Sequence, residues 1–332
     1  MGSLLWVKAE IEKGKMSMNK DDVKKVAVIG AGTMGHGMAQ SFAAAGIPVS
    51  LMARRTQSLE RASELIKASL NTMARADFID KGRIPEILSR IRYTNSLEEA
   101  AQDADLAFET VAEDKQAKID TFARLDELCP RHALLASNTT FMNIFDFVKT
   151  SRPDKVLIAH FYSPPQIIPL VDIVRGPQTD PASVQWMAEV IRGIGKKPVV
   201  FNRMVSGYVV SRLQFAFQRE VLWLLDNDYV SPEELDDAAK WGLAMRMMIV
   251  GVVQRFDFGG LDLSARNLAK PSFPPTPIEY MPKKIFELVK QGHLGVKTGK
   301  GFYDYTGKTE AEVCAARDMK LLKLLKFLEE LL

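Results

Sequence analysis

The chain contains four histidines, and His160 is the one whose place in the sequence could serve proton transfer. It ends the apolar stretch "KVLIAHF", which predicts a strand, and open α/β sheets bind ligands at the carboxyl ends of their strands. Imidazole titrates near neutral pH, so it can give a proton to the oxygen of a carbonyl group that is being reduced. Asp172 lies in the next apolar run, where a carboxylate could orient the ring and stabilise its cation. From these positions alone, a structural histidine is an equally good interpretation.

A glycine-rich turn near the start of the chain predicts a nucleotide site. The stretch "VAVIGAGTMGHG" sets Gly30, Gly32 and Gly35 in the spacing G-x-G-x-x-G, after a predicted strand and at the start of a predicted helix. The first glycine permits the tight turn, the second lets a pyrophosphate approach the backbone, and the third lets the helix pack on the strand. Thr33 and Met34 lie inside the turn and are expected to contact the cofactor. A glycine cluster required by packing alone is the alternative.

The residues after the second predicted strand indicate which dinucleotide is bound. An acidic residue there would bind the ribose hydroxyl of NAD, but the chain has Ala53, Arg54 and Arg55. The alanine removes the charge that would repel a 2′-phosphate, and the two guanidinium groups can bind that phosphate bidentately. The pair therefore predicts NADP, as NADPH, rather than NAD. The alternative is that both arginines are solvated charges at a helix entry.

The order of predicted elements gives the fold class. Short apolar runs alternate with helical patterns over the first part of the chain, and the runs are "KKVAVIG", "PVSLMA", "ADLAFET", "HALLASN", "KVLIAHF" and "LVDIV". Such alternation predicts an α/β domain whose parallel, Rossmann-type doubly wound sheet is covered on both faces. From Val205 onward nearly all patterns are helical, with a proline-rich loop at "KPSFPPTPIEYMP" and a final amphipathic helix at "MKLLKLLKFLEELL". We therefore expect a tail over 1–22, an NADP-binding domain over 23–204, and an all-helical domain over 205–332.

Composition excludes several classes of partner. A formal net charge of +3 is too small to predict nucleic-acid binding, and no apolar run has the length of a membrane span. The first residues carry acidic groups and lack the apolar core of a secretory signal, so a cytoplasmic protein is expected. Cys129 and Cys314 are isolated and predict reduced structural thiols. No metal site is predicted.

Several ordered motifs resemble those of the 3-hydroxyacyl-CoA dehydrogenases and their 3-hydroxy-acid relatives, L-gulonate 3-dehydrogenase (lambda-crystallin) and carnitine dehydrogenase. They are "VAVIGAGTMGHG", "ETVAEDKQAK", "ASNTT", "HFYSPPQIIPLVDIV", "SGYVVSRLQFA" and "GVKTGKGFYDY". The resemblance runs from about Lys24 to Tyr305. It implies a Rossmann domain followed by a helical dimerisation domain, hence a homodimer. It also implies reversible hydride transfer between a nicotinamide and a secondary alcohol beside a carbonyl group.

The resemblance also implies roles for individual residues. His160 would carry the proton, with Asp172 as its partner at a position where the family normally has Glu. Ser137 falls at the family's catalytic serine, and Ser211 stands where the family has an active-site Asn. Residues expected to contact the cofactor through the resemblance are Glu113, Lys118 and Lys297. Strand-end capping for Ser137 and an ordinary charged helix start for Glu113 and Lys118 are the structural alternatives.

The departures from the family pattern bear on the substrate. Besides Ser211, the family's "GP-x-E" turn is replaced by "GVVQ", Gly251 to Gln254. The surrounding methionine and phenylalanine run is typical of a core but could also line an adaptable apolar pocket. Few lysines are placed to bind the phosphates of CoA. The leading hypothesis is an NADPH-dependent reductase of a β-keto compound that is apolar or otherwise unlike an ordinary acyl-CoA. Alternatives are an imine reductase and a cofactor-binding protein that has lost turnover.

Overall fold

The computed structural model describes residues 23–271, 273–274 and 276–331, so the expected tail over 1–22 lies outside the described residues. The chain forms two compact units that divide between Tyr208 and Val209. The boundary expected from the sequence, after residue 204, lies four residues earlier. Each unit has its own character: the first is built on a sheet and the second on helices. The α/β class with a following helical domain is thus confirmed.

The first unit contains one sheet of eight strands in the order β3-β2-β1-β4-β5-β6-β7-β8. The strands are β1 (Val26–Ile29), β2 (Val49–Met52), β3 (Ile91–Thr94), β4 (Leu106–Glu109), β5 (Leu134–Ser137), β6 (Val156–Phe161), β7 (Leu170–Arg175) and β8 (Lys197–Phe201). Neighbouring strands are parallel except β6 and β7, which pair antiparallel. The chain leaves β1 toward β2 on one side and later returns to β4 on the other. That reversal is the switch point beside which open α/β sheets bind dinucleotides.

Six helices of the first unit connect these strands. They are α1 (Gly35–Ala44), α2 (Thr56–Arg75), α3 (Ile84–Ser89), α4 (Leu97–Ala101), α5 (Lys115–Leu128) and α6 (Pro181–Gly193). Helix α1 ends before Gly46, whose positive φ of 95° is the conformation expected for a helix stop. Helix α5 begins where Asp114 accepts a hydrogen bond from the N–H of Ala117. These starts and stops bring the loops after β1, β4 and β5 to one edge of the sheet.

An aromatic cluster under the sheet holds β4 and β6 in place. These two strands carry polar residues of that edge. Phe42, Phe108 and Phe161 are fully buried and lie with ring centroids 5.5 to 6.3 Å apart. Phe108 precedes Glu109 on β4, and Phe161 follows His160 on β6. Because successive side chains of a strand point to opposite faces, anchoring the phenylalanines determines where Glu109 and His160 point. Burial of each ring is worth about 1.5–3 kcal/mol, so this direction is firmly set.

The second unit is helical. Its helices are α7 (Val210–Asp226), α8 (Pro232–Asp237), α9 (Met245–Val250), α10 (Gln254–Gly259), α11 (Leu261–Ala269), α12 (Lys284–Lys290) and α13 (Glu310–Leu331), with a π-helical stretch at Ala238–Ala244. Ser231 and Glu234 form the capping box that begins α8. Many large apolar side chains are exposed, among them Phe215 at 66%. Among the described residues of this unit, the buried apolar side chains are those of Leu225 and Leu322.

Candidate active site

The glycine turn has the geometry that a dinucleotide needs. Gly30 adopts φ of 119°, and its N–H donates to the carbonyl of Met52 at 2.8 Å, which ties the turn to the end of β2. A Cβ added at Gly35 would collide with the carbonyl oxygen of Gly30, so helix α1 approaches the turn only because this residue is glycine. A Cβ at Gly32 would instead point into open space. That space is where the backbone can receive a pyrophosphate, so the residues fit a dinucleotide cofactor.

Arg54 and Arg55 follow β2 directly, next to the glycine turn. Both are exposed, and Arg55 is the residue that precedes helix α2. Neither guanidinium pairs with another residue in the described part of the chain, whereas Ala53 is buried and its carbonyl accepts from the Asn95 side chain at 2.7 Å. The loop is therefore held by its backbone, and both cationic groups are left available for an anion beside the turn.

A cleft of about 180 Å³ opens between the glycine turn and the ends of β4 and β5. Its lining residues come from the loop after β1, the loop after β4, the start of α5 and the loop after β5: Thr33, Met34, Thr110, Val111, Glu113, Lys118, Asn138 and Thr140. Thr110 closes one wall, because its hydroxyl donates to the Gly30 carbonyl at 2.8 Å. The structure thus brings together four of the residues that the sequence predicted as cofactor contacts. Their contact with a cofactor stays a prediction.

A buried ion cluster forms the floor beside this cleft. The ammonium group of Lys118 lies 3.0 Å from both oxygens of Glu109 and 2.9 Å from Glu113 Oε2. Lys118 and Glu109 are almost completely buried, whereas the Glu113 side chain is 40% exposed. Partial burial opposes ionisation of Glu113, but hydrogen bonds from Thr139, Lys118 and the Thr140 N–H outweigh it and hold the pKa of this carboxyl below its usual value. Glu113 is therefore charged at neutral pH.

Glu109 was missed by the sequence analysis. It ends β4 inside the quoted motif "ETVAEDKQAK", and a carboxylate at the end of an otherwise apolar strand is the signal that could have identified it. Its position makes it the shared partner of Lys118 and Ser137, since Ser137 donates to Glu109 Oε2 at 2.6 Å.

Ser137 ends β5, where it is fully buried, and its hydroxyl donates to Glu109 Oε2. Its contact with a substrate stays a prediction. The hydroxyl that meets His160 belongs to Thr140, whose Oγ1 lies 3.1 Å from Nε2. Side chains alternate between the two faces along a strand, but this alternation ends where the strand ends. Thr140 lies three residues after Ser137, beyond the end of β5, so its hydroxyl can point to a different partner. Thr140 was missed although it stands in the quoted motif "ASNTT".

His160 and Asp172 face each other across the antiparallel pair β6 and β7. Nδ1 of the imidazole lies 3.9 Å from Asp172 Oδ2, which is an ion-pair distance and too long for a hydrogen bond. The same oxygen accepts a hydrogen bond of 2.6 Å from the hydroxyl of Tyr162. His160 is 5% exposed and Asp172 is 1% exposed, so the pair is almost completely shielded from water. Aspartate is one methylene shorter than the glutamate that the family normally has, so a gap is left between the carboxylate and the imidazole. The hydroxyl of Tyr162 binds the carboxylate at this gap.

Tyr208, the last residue of the first unit, packs its ring 5.0 Å from that of His160. Its hydroxyl donates to the carbonyl of Thr139 at 2.7 Å. Burial raises the pKa of Tyr208, so this phenol stays protonated and acts as a donor. The ring therefore fixes one face of the imidazole, while the hydroxyl holds the loop that carries Thr140.

Two predicted site residues lie in the second unit. Ser211 is the second residue of α7, and Lys297 is exposed in a single 3₁₀ turn at Val296–Thr298. Their roles stay predictions.

The second unit has a cavity of its own, with a volume of about 710 Å³. Apolar side chains line most of it, including Met245, Phe256 and Phe258, and two cationic groups, Arg246 and Arg255, join them. Phe258 is 74% exposed, so this methionine and phenylalanine run does not form a core within the unit. Whether the run lines a substrate pocket stays a prediction.

A Rossmann-type sheet with a glycine turn at its switch point and a histidine at its carboxyl edge defines an oxidoreductase that uses a nicotinamide dinucleotide. The model of the 3-hydroxyacyl-CoA dehydrogenase NAD binding domain matches residues 25–204, and that of the 3-hydroxyacyl-CoA dehydrogenase C-terminal domain matches residues 207–305. The chain belongs to the 3-hydroxyacyl-CoA dehydrogenase family. The resemblance inferred from the motifs is confirmed.

The chain aligns with nearly the whole length of three known proteins. The chain is 28% identical to 5-formyl-3-hydroxy-2-methylpyridine 4-carboxylate 5-dehydrogenase of Mesorhizobium japonicum, over 92% of this chain and 99% of that protein. It is 34% identical to 3-hydroxybutyryl-CoA dehydrogenase of Clostridioides difficile, over 85% of this chain and 99% of that one. A crystal structure of a 5-formyl-3-hydroxy-2-methylpyridine 4-carboxylic acid 5-dehydrogenase, described as an NAD+-dependent dismutase, superposes with a TM-score of 0.82 at 27% identity, covering 92% and 99% of the two chains.

Within residues 23–271, 273–274 and 276–331, no helix combines the length and the apolar composition that crossing a membrane requires.

Proposed function

We propose that this protein is an NADPH-dependent reductase that converts a β-keto compound into its 3-hydroxy product. The observation that carries the proposal is the contact of 3.1 Å between His160 Nε2 and Thr140 Oγ1, because Thr140 also lines the cleft beside the glycine turn. A proton donor and a hydroxyl group thus meet where a carbonyl oxygen would have to bind. The family's oxidoreductase activity on secondary alcohols is the same chemistry in the opposite direction.

The chain's own residues supply everything except the hydride, which a bound nicotinamide provides. Thr140 donates a hydrogen bond to the substrate oxygen and orients it toward Nε2 of His160. As the carbonyl carbon gains hydride, the carbonyl electron pair moves to oxygen, and that oxygen takes the proton from Nε2. His160 is left neutral, and solvent restores its proton before the next turnover. Asp172 stabilises the charged imidazole between turnovers.

Arg54 and Arg55 make the cofactor NADPH. A 2′-phosphate beside the turn would meet two guanidinium groups without protein partners, and Ala53 presents no carboxylate to repel it. We expect NADPH to bind at least about tenfold tighter than NADH, which is about 1.4 kcal/mol. Arg54→Ala with Arg55→Ala should abolish this difference by weakening NADPH alone. Fluorescence titration of both cofactors measures it.

The matched control for the double variant of Arg54 and Arg55 is Arg75→Ala. Arg75 is the last residue of α2, about 30 Å from the start of a helix of this length, and should change neither affinity. Equal affinities of the unaltered protein for NADPH and NADH would contradict the assignment. So would a double variant that loses NADH binding to the same extent, because the arginines would then serve the fold or the shared part of the cofactor.

A second class of substrate has support of its own. Arg246 and Arg255 line a mostly apolar cavity that also holds Ser264 and Asn267, which suits a molecule with a ring and a carboxylate. The Mesorhizobium relative is named for a pyridine that carries a formyl and a carboxylate group. An aromatic aldehyde bearing a carboxylate is therefore the alternative to an aliphatic β-keto compound.

The test is NADPH oxidation against a panel of β-ketoacids, β-ketoesters, β-ketoacyl-CoA thioesters, carboxylated aromatic aldehydes and cyclic imines. Turnover of a β-keto compound supports the main proposal, and turnover of the aldehydes alone supports the second. Turnover of imines alone would replace both. Tight NADPH binding with no turnover on any class would indicate a cofactor-binding protein instead.

The proposed assembly is a homodimer formed through the second unit. Helix α7 exposes Leu213, Phe215 and Phe217, and few large apolar side chains of that unit are buried. A monomer rarely exposes so many large apolar side chains. Light scattering at micromolar concentration should give a mass near twice that of the chain. Phe215→Glu should shift the mass toward the monomer, while Leu65→Glu on helix α2 of the first unit should not; a monomeric unaltered protein would refute the assembly.

A further inference from the structure

The partner of His160 is built differently from the single long carboxylate that the family normally has. Asp172 stands directly opposite the histidine in the strand register, yet its nearer oxygen stops 3.9 Å from Nδ1. One further methylene would bring a carboxylate into hydrogen-bond range of the ring. In the described part of the chain, Nδ1 of His160 and Oδ1 of Asp172 have no hydrogen-bond partner. The charge of Asp172 therefore acts on the imidazole across a short gap.

Tyr162 contacts both members of this pair. It lies two residues after His160, just beyond the end of β6, and its ring meets the imidazole edge to face at a centroid distance of 4.6 Å. Its hydroxyl donates to Asp172 Oδ2 at 2.6 Å. That oxygen is the one that faces Nδ1, so the phenol and the imidazole compete for the same acceptor. A hydrogen bond to a carboxylate is about twice as strong as a neutral one, which is enough to decide where the carboxylate rests.

The other titratable groups around the imidazole do not take part in this competition. The hydroxyl of Tyr208 is committed to the Thr139 carbonyl, although its ring touches that of His160. Glu113 is separated from the imidazole by Thr140, whose N–H it accepts at 2.8 Å, and its charge is paired with Lys118.

We propose that Tyr162 is a positioning residue: its hydroxyl holds Asp172 at ion-pair distance from His160 and so keeps the protonated imidazole a strong proton donor. A direct hydrogen bond from Nδ1 to the carboxylate would stabilise the imidazolium and make it release its proton less readily. The restraint by Tyr162 thus favours the reductive direction, and this inference about rate rests on the proposed reductase function. The inference about geometry does not.

Removing the hydroxyl of Tyr162 should raise the affinity of the His160 ring for a proton. In Tyr162→Phe, Asp172 loses its one hydrogen-bond donor, and the buried carboxylate gains most by turning to Nδ1. Both effects strengthen the hold on the proton, so the affinity of the His160 ring for a proton should rise about three- to tenfold. Asp172→Glu should act in the same direction, because the longer side chain reaches Nδ1 past the phenol. Asp172→Glu in the Tyr162→Phe background should add nothing further.

Titration of the histidine ring signals by NMR tests the proposal without substrate or cofactor. The chain has four histidines, and loss of a signal in His160→Gln assigns the one of interest. The midpoint should move to higher pH by about half to one pH unit in Tyr162→Phe and in Asp172→Glu. Tyr93→Phe is the control, since it removes the hydroxyl of a half-buried tyrosine on β3, at the edge of the sheet away from β6, and should leave the midpoint in place. If Tyr162→Phe does not fold, Tyr162→Leu, which also removes the hydroxyl, takes its place.

The second measurement is the dependence of kcat/KM on pH. With a reducible substrate, the alkaline limb of kcat/KM should move up with the NMR midpoint, and the plateau should fall about two- to fivefold because the donor is weaker. An unchanged midpoint, or one at lower pH, in Tyr162→Phe and Asp172→Glu would overturn the proposal. A shifted midpoint in a protein that reduces none of the substrates would leave Tyr162 as the positioning residue and refute the proposed function instead.

Discussion

Replacing His160 by glutamine should slow carbonyl reduction by about 10²–10⁴-fold while NADPH affinity stays unchanged. The imidazole is the titratable group that reaches the Thr140 hydroxyl at the cleft, and glutamine keeps a polar side chain of similar length that does not titrate near neutral pH. Because His160 lies on β6 and the glycine turn follows β1, the change should leave the cofactor site intact. Single-turnover kinetics with NADPH in excess, together with a binding titration, separate the two effects.

Two hydroxyl variants show whether the site is assigned to the correct residues. Thr140→Val should lower kcat, because the substrate oxygen loses its orienting hydrogen bond, whereas Ser137→Ala should act mainly on stability through Glu109. A strong loss of turnover in Ser137→Ala with none in Thr140→Val would support the catalytic role that the family resemblance implies for Ser137. Full turnover in His160→Gln would remove the proton-transfer mechanism altogether.

Replacing Lys118 by methionine should lower the free energy of unfolding by about 3–5 kcal/mol. The ammonium group is 1% exposed and is the cation that neutralises Glu109, which is 0% exposed. Methionine keeps the volume but leaves a buried carboxylate with only the Ser137 hydroxyl and a backbone N–H as donors. Breaking one side of a buried pair is costly because the remaining charge has no compensation. Urea unfolding followed by circular dichroism measures the change.

The controls for this prediction lie on the same helix and in the same pair. Arg124→Met removes an exposed ion pair with Glu127 on α5 and should cost less than about 1 kcal/mol. Adding Glu109→Gln to Lys118→Met should recover much of the lost stability, since no charge is then left buried. If Lys118→Met unfolds at the same urea concentration as Arg124→Met, then Glu109 is not charged in the folded protein.

The sequence predicts the centre of the sheet better than its edges. Strands β1, β4, β5 and β6 are continuous apolar runs because both of their faces are covered. Strand β3 reads "IRYT" and β8 reads "KPVVF", and neither was predicted, since the ends of a sheet tolerate charged and exposed residues. The antiparallel turn from β6 to β7 was also not predicted, because apolar runs carry no information on direction.

The site was predicted at the level of motifs but not of atoms. His160 and Asp172 could be paired by their strands, and the structure places them opposite each other. Which hydroxyl meets the imidazole depends on where β5 stops, and the run "ASNTT" offers three candidates within four residues. The role of Glu109 depends on a buried lysine one turn into α5, which no local pattern reveals. The features of the site that the motifs did not predict arise from contacts between loops that are far apart in the sequence.

The groups proposed to handle the proton all belong to the first unit, between Thr140 and Asp172, whereas the cavity with Met245, Arg246 and Arg255 belongs entirely to the second. Chemistry and the shape of that cavity are therefore encoded in separate stretches of the gene. Mutations can accumulate in one stretch without disturbing the hydrogen bonds of the other. Under the substrate role proposed for that cavity, a lineage can acquire a new pocket by drift while its proton donor stays constant, and residues 245–267 are the segment to randomise when a new specificity is sought.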